Sequence, residues 1–112
     1  MLFKPCSEVR GGREKCRGVL THVRFAKLRS VGAIIELCDL RDVDFTKADC
    51  RGAVFSECDL RGAIFEQSDL RKADFSSAQN VSFEPEQNQI RGAKISAALA
   101  VAFAQRKGFI VD

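Results

Sequence analysis

From residue 38 the chain alternates apolar and polar positions with a period of five: CDLRD, VDFTK, ADCRG, AVFSE, CDLRG, AIFEQ, SDLRK, ADFSS. The third position of each unit is Leu40, Phe45, Cys50, Phe55, Leu60, Phe65, Leu70 and Phe75, apolar every time. With 46% of the residues hydrophobic, chance would fill eight successive positions about twice in a thousand trials. The first position is mostly small: Cys38, Val43, Ala48, Ala53, Cys58, Ala63, Ser68 and Ala73. Six of the eight second positions are Asp, and the last two positions are polar in every unit.

A period of five suits neither an isolated helix nor a flat strand. It suits a chain in which each unit forms one short side of a coil and then turns a corner. The first and third residues, two apart, point inward, as alternation in extended chain requires, and the others face water. One unit cannot bury its apolar pair alone, so coils must stack into an all-β solenoid. The number of sides per coil does not follow from the period.

The units ADCRG, CDLRG, SDLRK and ADFSS resemble the pentapeptide-repeat family. The resemblance implies a right-handed quadrilateral β-helix with four units, or about twenty residues, per coil. The frame continues upstream as GVLTH, VRFAK and more loosely AIIEL, around Leu20, Phe25 and Ile35. Downstream AQNVS is degenerate, and NQIRG and AKISA return in phase around Ile90 and Ile95. The expected array is therefore 17–95, about four coils. Irregularity is expected at 28–34, where Ser30 takes the central position, and at 83–88, where Pro85 cannot donate to a ladder.

Stacked every twenty residues, Phe25, Phe45 and Phe65 should form one column and Phe55 with Phe75 another. Leu20, Leu40 and Leu60 should form a third, and Cys50, Leu70 and Ile90 a fourth. On the outside, Asp39 with Arg41 recurs as Asp59 with Arg61, and Asp49 with Arg51 as Asp69 with Arg71. The ordinary reading of these eight is a self-compensating, solvated charge grid. The functional reading is a surface array shown to a partner.

Ser96 is placed to N-cap a helix over 97–107 that stops at Gly108. Leu99 and Phe103 would lie over the last coil, and Phe109, Ile110 and Val111 could add a final strand. Segment 96–112 thus reads as a helix-and-strand cap, needed because an open coil edge invites pairing. Similar tails in the family join two solenoids into dimers, so cap and homodimer module both stand.

The chain has 112 residues, 29% charged, and a net charge of +3. Residues 1–30 hold eight basic groups against two acidic ones, and Gly11-Gly12 without apolar period makes 1–16 a basic, mobile tail by expectation. No stretch has the length of a membrane span and the start has no signal-peptide core, so a soluble cytoplasmic protein is expected. Five cysteines at irregular spacing and one histidine, His22, fit neither a disulfide framework nor a metal site. No cofactor motif or nucleophile motif occurs, so no enzyme is expected. The expected function is a protein-interaction scaffold with an unidentified protein partner. The alternative implied by the resemblance is a DNA mimic that binds a type II topoisomerase such as gyrase. Arg41, Arg51, Arg61 and Arg71 interrupt the acidic columns that a mimic would show. Nucleic acid is not the expected partner, apart from weak contact through the basic tail.

Overall fold

The computed structural model describes residues 31–112 and, apart from them, the two-residue strand Lys15–Cys16. Expectations falling on 1–14 and 17–30, including the units around Leu20 and Phe25, lie outside the described residues.

Parallel pairing at an offset of twenty organises the chain. Strand β2 (Ile34–Glu36) lies beside β3 (Val54–Ser56), with Ile34 opposite Val54, Ile35 opposite Phe55 and Glu36 opposite Ser56. Single parallel bridges continue the same offset from Asp39 to Asp59, Asp49 to Asp69 and Asp74 to Lys94. An offset of twenty residues holds four five-residue units, so the array is a solenoid of four-unit turns.

Two expectations about the beginning of the array are corrected. Lys15–Cys16 form β1, which pairs in parallel with β2, so the tail does not run to residue 16. Lys15 stands opposite Ile34 and Cys16 opposite Ile35, an offset of nineteen rather than twenty. One residue is thus missing from the frame before β2, where the sequence pattern also falters. Irregularity does not extend through 31–34, because Ala33 and Ile35 are already buried in phase.

The core follows from strand alternation. All eight third-position side chains from Leu40 to Phe75 are buried, none more than 2% exposed. Phe45 stacks on Phe65 at 4.7 Å between centroids and Phe55 on Phe75 at 4.9 Å, the rings of both pairs nearly parallel. The two stacks meet edge to face across the interior, with Phe55 5.8 Å from Phe45 and 6.1 Å from Phe65. Stacking along the axis comes from the coil pitch, and edge-to-face contact across it suits the ring quadrupole.

Corners repeat as regularly as the core. Every fifth-position residue from Gly32 to Lys72 has a positive φ, between 52° and 76°, including Leu37, Asp42, Lys47, Glu57 and Gln67. After Asp42, Lys47, Gly52, Gly62 and Lys72 the N–H of the next residue donates back to the third-position carbonyl, as Ala48 does to Phe45 at 3.0 Å and Ala63 to Leu60 at 2.9 Å. Where the first position is Cys or Ser, the side chain is the donor. Ser68 Oγ reaches Phe45 O at 2.7 Å, and Cys58 Sγ reaches Ile35 O at 3.2 Å. These buried residues are hydrogen-bond donors besides being small.

The far end is built differently. Pro85–Gln87 form a single 3-10 turn, and Phe83, at a first position, enters the core where Pro85 cannot. Asn88 ties this turn down: its amide donates to Phe65 O and Glu84 O at 2.9 Å, and its oxygen accepts from Ser68 N–H. Ile90 continues the frame of Leu70 but is 39% exposed, so it closes no column of core. Helix α1 (Ala97–Arg106) starts at Ser96, whose hydroxyl accepts from Leu99 N–H at 3.1 Å. Its Phe103 ring lies 5.1 Å from Phe83, and Leu99 is half-buried. The strand expected at 109–111 is not formed. Phe109 N–H donates back to Ala104 O, which turns the chain off the helix and away from any ladder, and Ile110 is 95% exposed. Among the described residues no helix is long and apolar enough to cross a membrane.

Candidate functional site

With the interior filled, chemistry is confined to the outward side chains. All six in-frame aspartates use one carboxylate oxygen to accept the backbone N–H two residues on. The distances run from 2.9 Å at Thr46 and Ser76 to 3.4 Å at Arg51. Asp is therefore first a corner device, an Asx turn that leads the strand into the bend. The period-five recurrence of Asp just ahead of the bend carried that signal in the sequence.

The same carboxylates then hold arginine. Arg41 grips Asp39 through Nε at 2.8 Å and Nη2 at 2.7 Å. Arg51 does so to Asp49 at 2.9 Å with both nitrogens, and Arg71 to Asp69 at 2.9 and 2.6 Å. Each arginine hydrogen bond holds its carboxyl below the ordinary carboxylate range, with burial opposing the shift. The fourth pair expected from the sequence is absent. Asp59 accepts Arg61 only through the backbone, and its side chain bonds Asn80 Nδ2 at 3.0 Å, which occupies the oxygen an arginine would need. Between coils Arg51 Nε also reaches Asp69, at 3.7 Å.

Sorting the outward residues by unit gives four faces of unequal charge. The units beginning at Ala33, Ala53, Ala73 and Ala93 carry Glu36, Glu57 and Asp74 against Lys94, net −2. Those beginning at Cys38, Cys58 and Ala78 carry Asp39, Asp42 and Asp59 against Arg41 and Arg61, net −1. The third face, from Val43, Ala63 and Phe83, holds Asp44, Glu66, Glu84 and Glu86 against Lys47, net −3. The fourth, from Ala48, Ser68 and Asn88, holds Arg51, Arg71, Arg91 and Lys72 against Asp49 and Asp69, net +2. Position 89, where a third Asp would continue the column, is Gln. The eight residues of the expected array therefore lie on two opposite faces, one acidic and one basic.

On the third face, Glu84 and Glu86 are taken up by α1. Lys107 Nζ lies 2.8 Å from Glu86 and 3.4 Å from Glu84, and Arg106 lies 3.7 Å from Glu84. Arg106 also donates to Phe83 O at 2.8 Å and sits over the Phe103 ring. These contacts fasten the helix end to residues 83–86, a role that Arg106, Lys107 and Phe83 did not announce by period. Of the expected end residues, Phe103 packs inward, Leu99 is partly covered, and Phe109 and Ile110 remain exposed. Cys38, Cys50 and Cys58 are buried thiols outside any disulfide; the Cys38 hydrogen bond and burial push the Cys58 thiol upward, which keeps it neutral. Among the described residues no three His, Cys, Asp or Glu converge as metal ligands.

The family model for pentapeptide repeats matches residues 38–76 in eight copies. These are pentapeptide repeats. The repeat array is similar to several solved structures. One is the pentapeptide-repeat protein Rfr23 from the cyanobacterium Cyanothece 51142, at 21% identity over 76% of this chain and 58% of that one, TM-score 0.37. Another is HetL, involved in heterocyst differentiation regulation in Nostoc sp. strain PCC 7120, at 18% identity over 74% of this chain and 45% of that one, TM-score 0.44. A third is full-length QnrB1, a plasmid-mediated fluoroquinolone resistance protein, at 20% identity over 86% of this chain and 62% of that one, TM-score 0.36. The pentapeptide-repeat chain thus spans 58%, 45% and 62% of the lengths of these three. No curated protein sequence matches it.

Proposed function

We propose that this pentapeptide-repeat chain is a non-catalytic protein-interaction scaffold that docks a protein partner on the outer faces of its solenoid. One observation carries the reading. The interior is filled by stacked Phe and Leu side chains, while the outward side chains repeat at a fixed twenty-residue interval as rigid ladders. A filled solenoid offers no enclosed site for chemistry, and a rigid ladder presents side chains at low entropic cost. In this reading the fold is a right-handed quadrilateral β-helix of about four coils, the 97–106 helix is its cap, and the protein works in the cytoplasm without metal or cofactor. Photo-crosslinking from outward positions on each face, one face at a time, tests the proposal. A discrete protein adduct from a face supports it, and the absence of any adduct from all four overturns it.

A second reading has one observation in its favour, the third face with net charge −3. In that reading the chain mimics DNA toward a type II topoisomerase. Glu84 and Glu86 are already engaged by Lys107, which leaves the acidic column short. Inhibition of gyrase supercoiling that is lost in Asp44→Asn/Glu66→Gln would favour this reading over the scaffold. A homodimer through exposed Phe109 and Ile110 is compatible with either, and the dependence of sedimentation on concentration checks it.

A further inference from the structure

The basic fourth face carries more than a share of the grid. Its corner column runs Gly32, Gly52, Lys72 and Gly92, so two successive corners beside the Arg ladder carry no side chain. A Cβ on Gly52 would meet only the backbone of Gly32, at 3.9 Å, so the corner is open. The result is a shallow hollow lined by Val31, Gly32, Arg51, Gly52, Arg71 and Lys72. Its walls are the Val31 side chain and the aliphatic stems of the long cations, and its rim is positive.

The rim is also pre-organised. Asp49 and Asp69 take Nε and Nη2 of Arg51 and Arg71, which holds each guanidinium in place with its Nη1 edge unbonded among the described residues. Arg91 and Lys72 have no ion-pair partner among the described residues; at Arg91 this is because Gln89 stands where a third Asp would be. Two fixed forks and Lys72 line an apolar hollow, and Arg91 continues the basic column twenty residues beyond Arg71. A nucleic-acid backbone would use the cations and leave the hollow empty. An acidic peptide with an apolar side chain uses both.

We propose that this face docks an acidic protein segment, seating one apolar side chain in the Gly32–Gly52 hollow with carboxylates on Arg51, Arg71, Lys72 and Arg91. This rests on the scaffold reading and names the chemistry of its partner. The probe is a fluorescein-labelled dodecapeptide of aspartate and glutamate with one central leucine, titrated against the full chain by anisotropy at low salt. The comparison probes are the same peptide with the leucine replaced by glutamate, and a twelve-nucleotide single-stranded DNA. Lys72→Gln/Arg91→Gln should weaken the leucine peptide about tenfold, because it removes two rim charges without stranding an aspartate. Gly52→Asn, a residue that tolerates positive φ, should fill the hollow and erase the advantage of the leucine peptide over the all-acidic one. Arg41→Gln/Arg61→Gln, on the opposite face, should change affinity less than twofold. Equal binding by the Lys72→Gln/Arg91→Gln protein, equal loss from the opposite face, or tighter binding of the DNA would each overturn the proposal. The scaffold reading would survive those results if crosslinking still yields a protein adduct from another face.

Discussion

Residues 33–77 and residues 78–112 answer one problem in two ways. In the first region each coil is covered by the next, so small first residues, large third residues and Asp-led corners suffice. In the second the ladder ends at Lys94 and the chain turns into α1. The aromatic stack shows the change. Phe45 with Phe65, and Phe55 with Phe75, stack in parallel at the coil pitch, whereas Phe83 is tilted 46° to Phe75 and passes the contact on to Phe103. Regular stacking carries the stability of the first region, and a few irregular contacts carry that of the second.

The sharpest test of that contrast is truncation in each stack. Phe65 touches Phe45, Phe55, Phe75 and Phe83 and is 2% exposed. Phe65→Ala should destabilise by about 3–5 kcal/mol, which is a large part of what a small domain has. Urea unfolding followed by circular dichroism would read this as a fall in midpoint at unchanged slope. A loss under about 1 kcal/mol would mean the columns are not the source of stability.

Phe83→Ala should come next, at about 2–3 kcal/mol, since its site lies at the end of the core and can partly collapse. Its signature is spatial. Amide exchange should accelerate across 97–106 while 38–76 keeps its protection, because Phe83 joins the helix to the coils. Uniform acceleration would show that the two regions unfold as one unit and would remove the distinction drawn between them.

Most of the first region was legible in sequence because one physical constraint repeats. Each third position has to fill the same interior and each corner has to bend the same way. The in-phase burial of Phe45, Phe55, Phe65 and Phe75 follows directly. The charge array was less legible, since period alone does not show that Asp59 is claimed by Asn80, twenty-one residues away. Nor does it show that Gln89 leaves the fourth face positive, which needs the faces to be sorted first. The end was least legible. Phe83 breaks the small-first rule, and its role depends on Pro85 having vacated the third position.

A smaller effect separates corner types within the regular region. Ser68 Oγ, from a buried position, has one proton to share between Phe45 O at 2.7 Å and Glu66 O at 3.2 Å. Ser68→Ala should cost about 1–2 kcal/mol, because those carbonyls lose a donor and no water replaces it. Ser68→Cys should retain most of the stability, since Cys58 makes the same kind of bond at 3.2 Å. If Ala and Cys are equivalent at 68, the first position selects for size alone.

Leu37 tests the bend itself. It holds φ 52° and is 47% exposed, so its side chain gains little from packing and the backbone sits where L-residues are strained. Leu37→Asn should raise stability by about 0.5–1 kcal/mol, as Asn enters this region more readily and an exposed apolar side chain is lost. A destabilised variant would show that Leu37 packs in a way its exposure conceals.

The smallest effect per residue should come from the arginine-held aspartates, and it has a definite direction with pH. Asp39, Asp49 and Asp69 have carboxyl pKa values lowered below the ordinary 3.8, chiefly by the hydrogen bonds from Arg41, Arg51 and Arg71. A depressed folded value means that the unfolded chain takes up protons first as the solution is acidified. Their contribution is therefore complete above the unfolded value, at about pH 5 and higher, and is lost as pH falls through 4 and below. Solvent screens these exposed pairs, so their share of the acid-side loss should be modest and should shrink further in high salt. Comparing the wild type with Asp49→Asn/Asp69→Asn at pH 7 and pH 3 isolates it. The double variant should be less stable at pH 7 and lose less between the two pH values. An identical pH dependence in both proteins would assign the aspartates to the corners alone, through the Asx turn that Asn can also make.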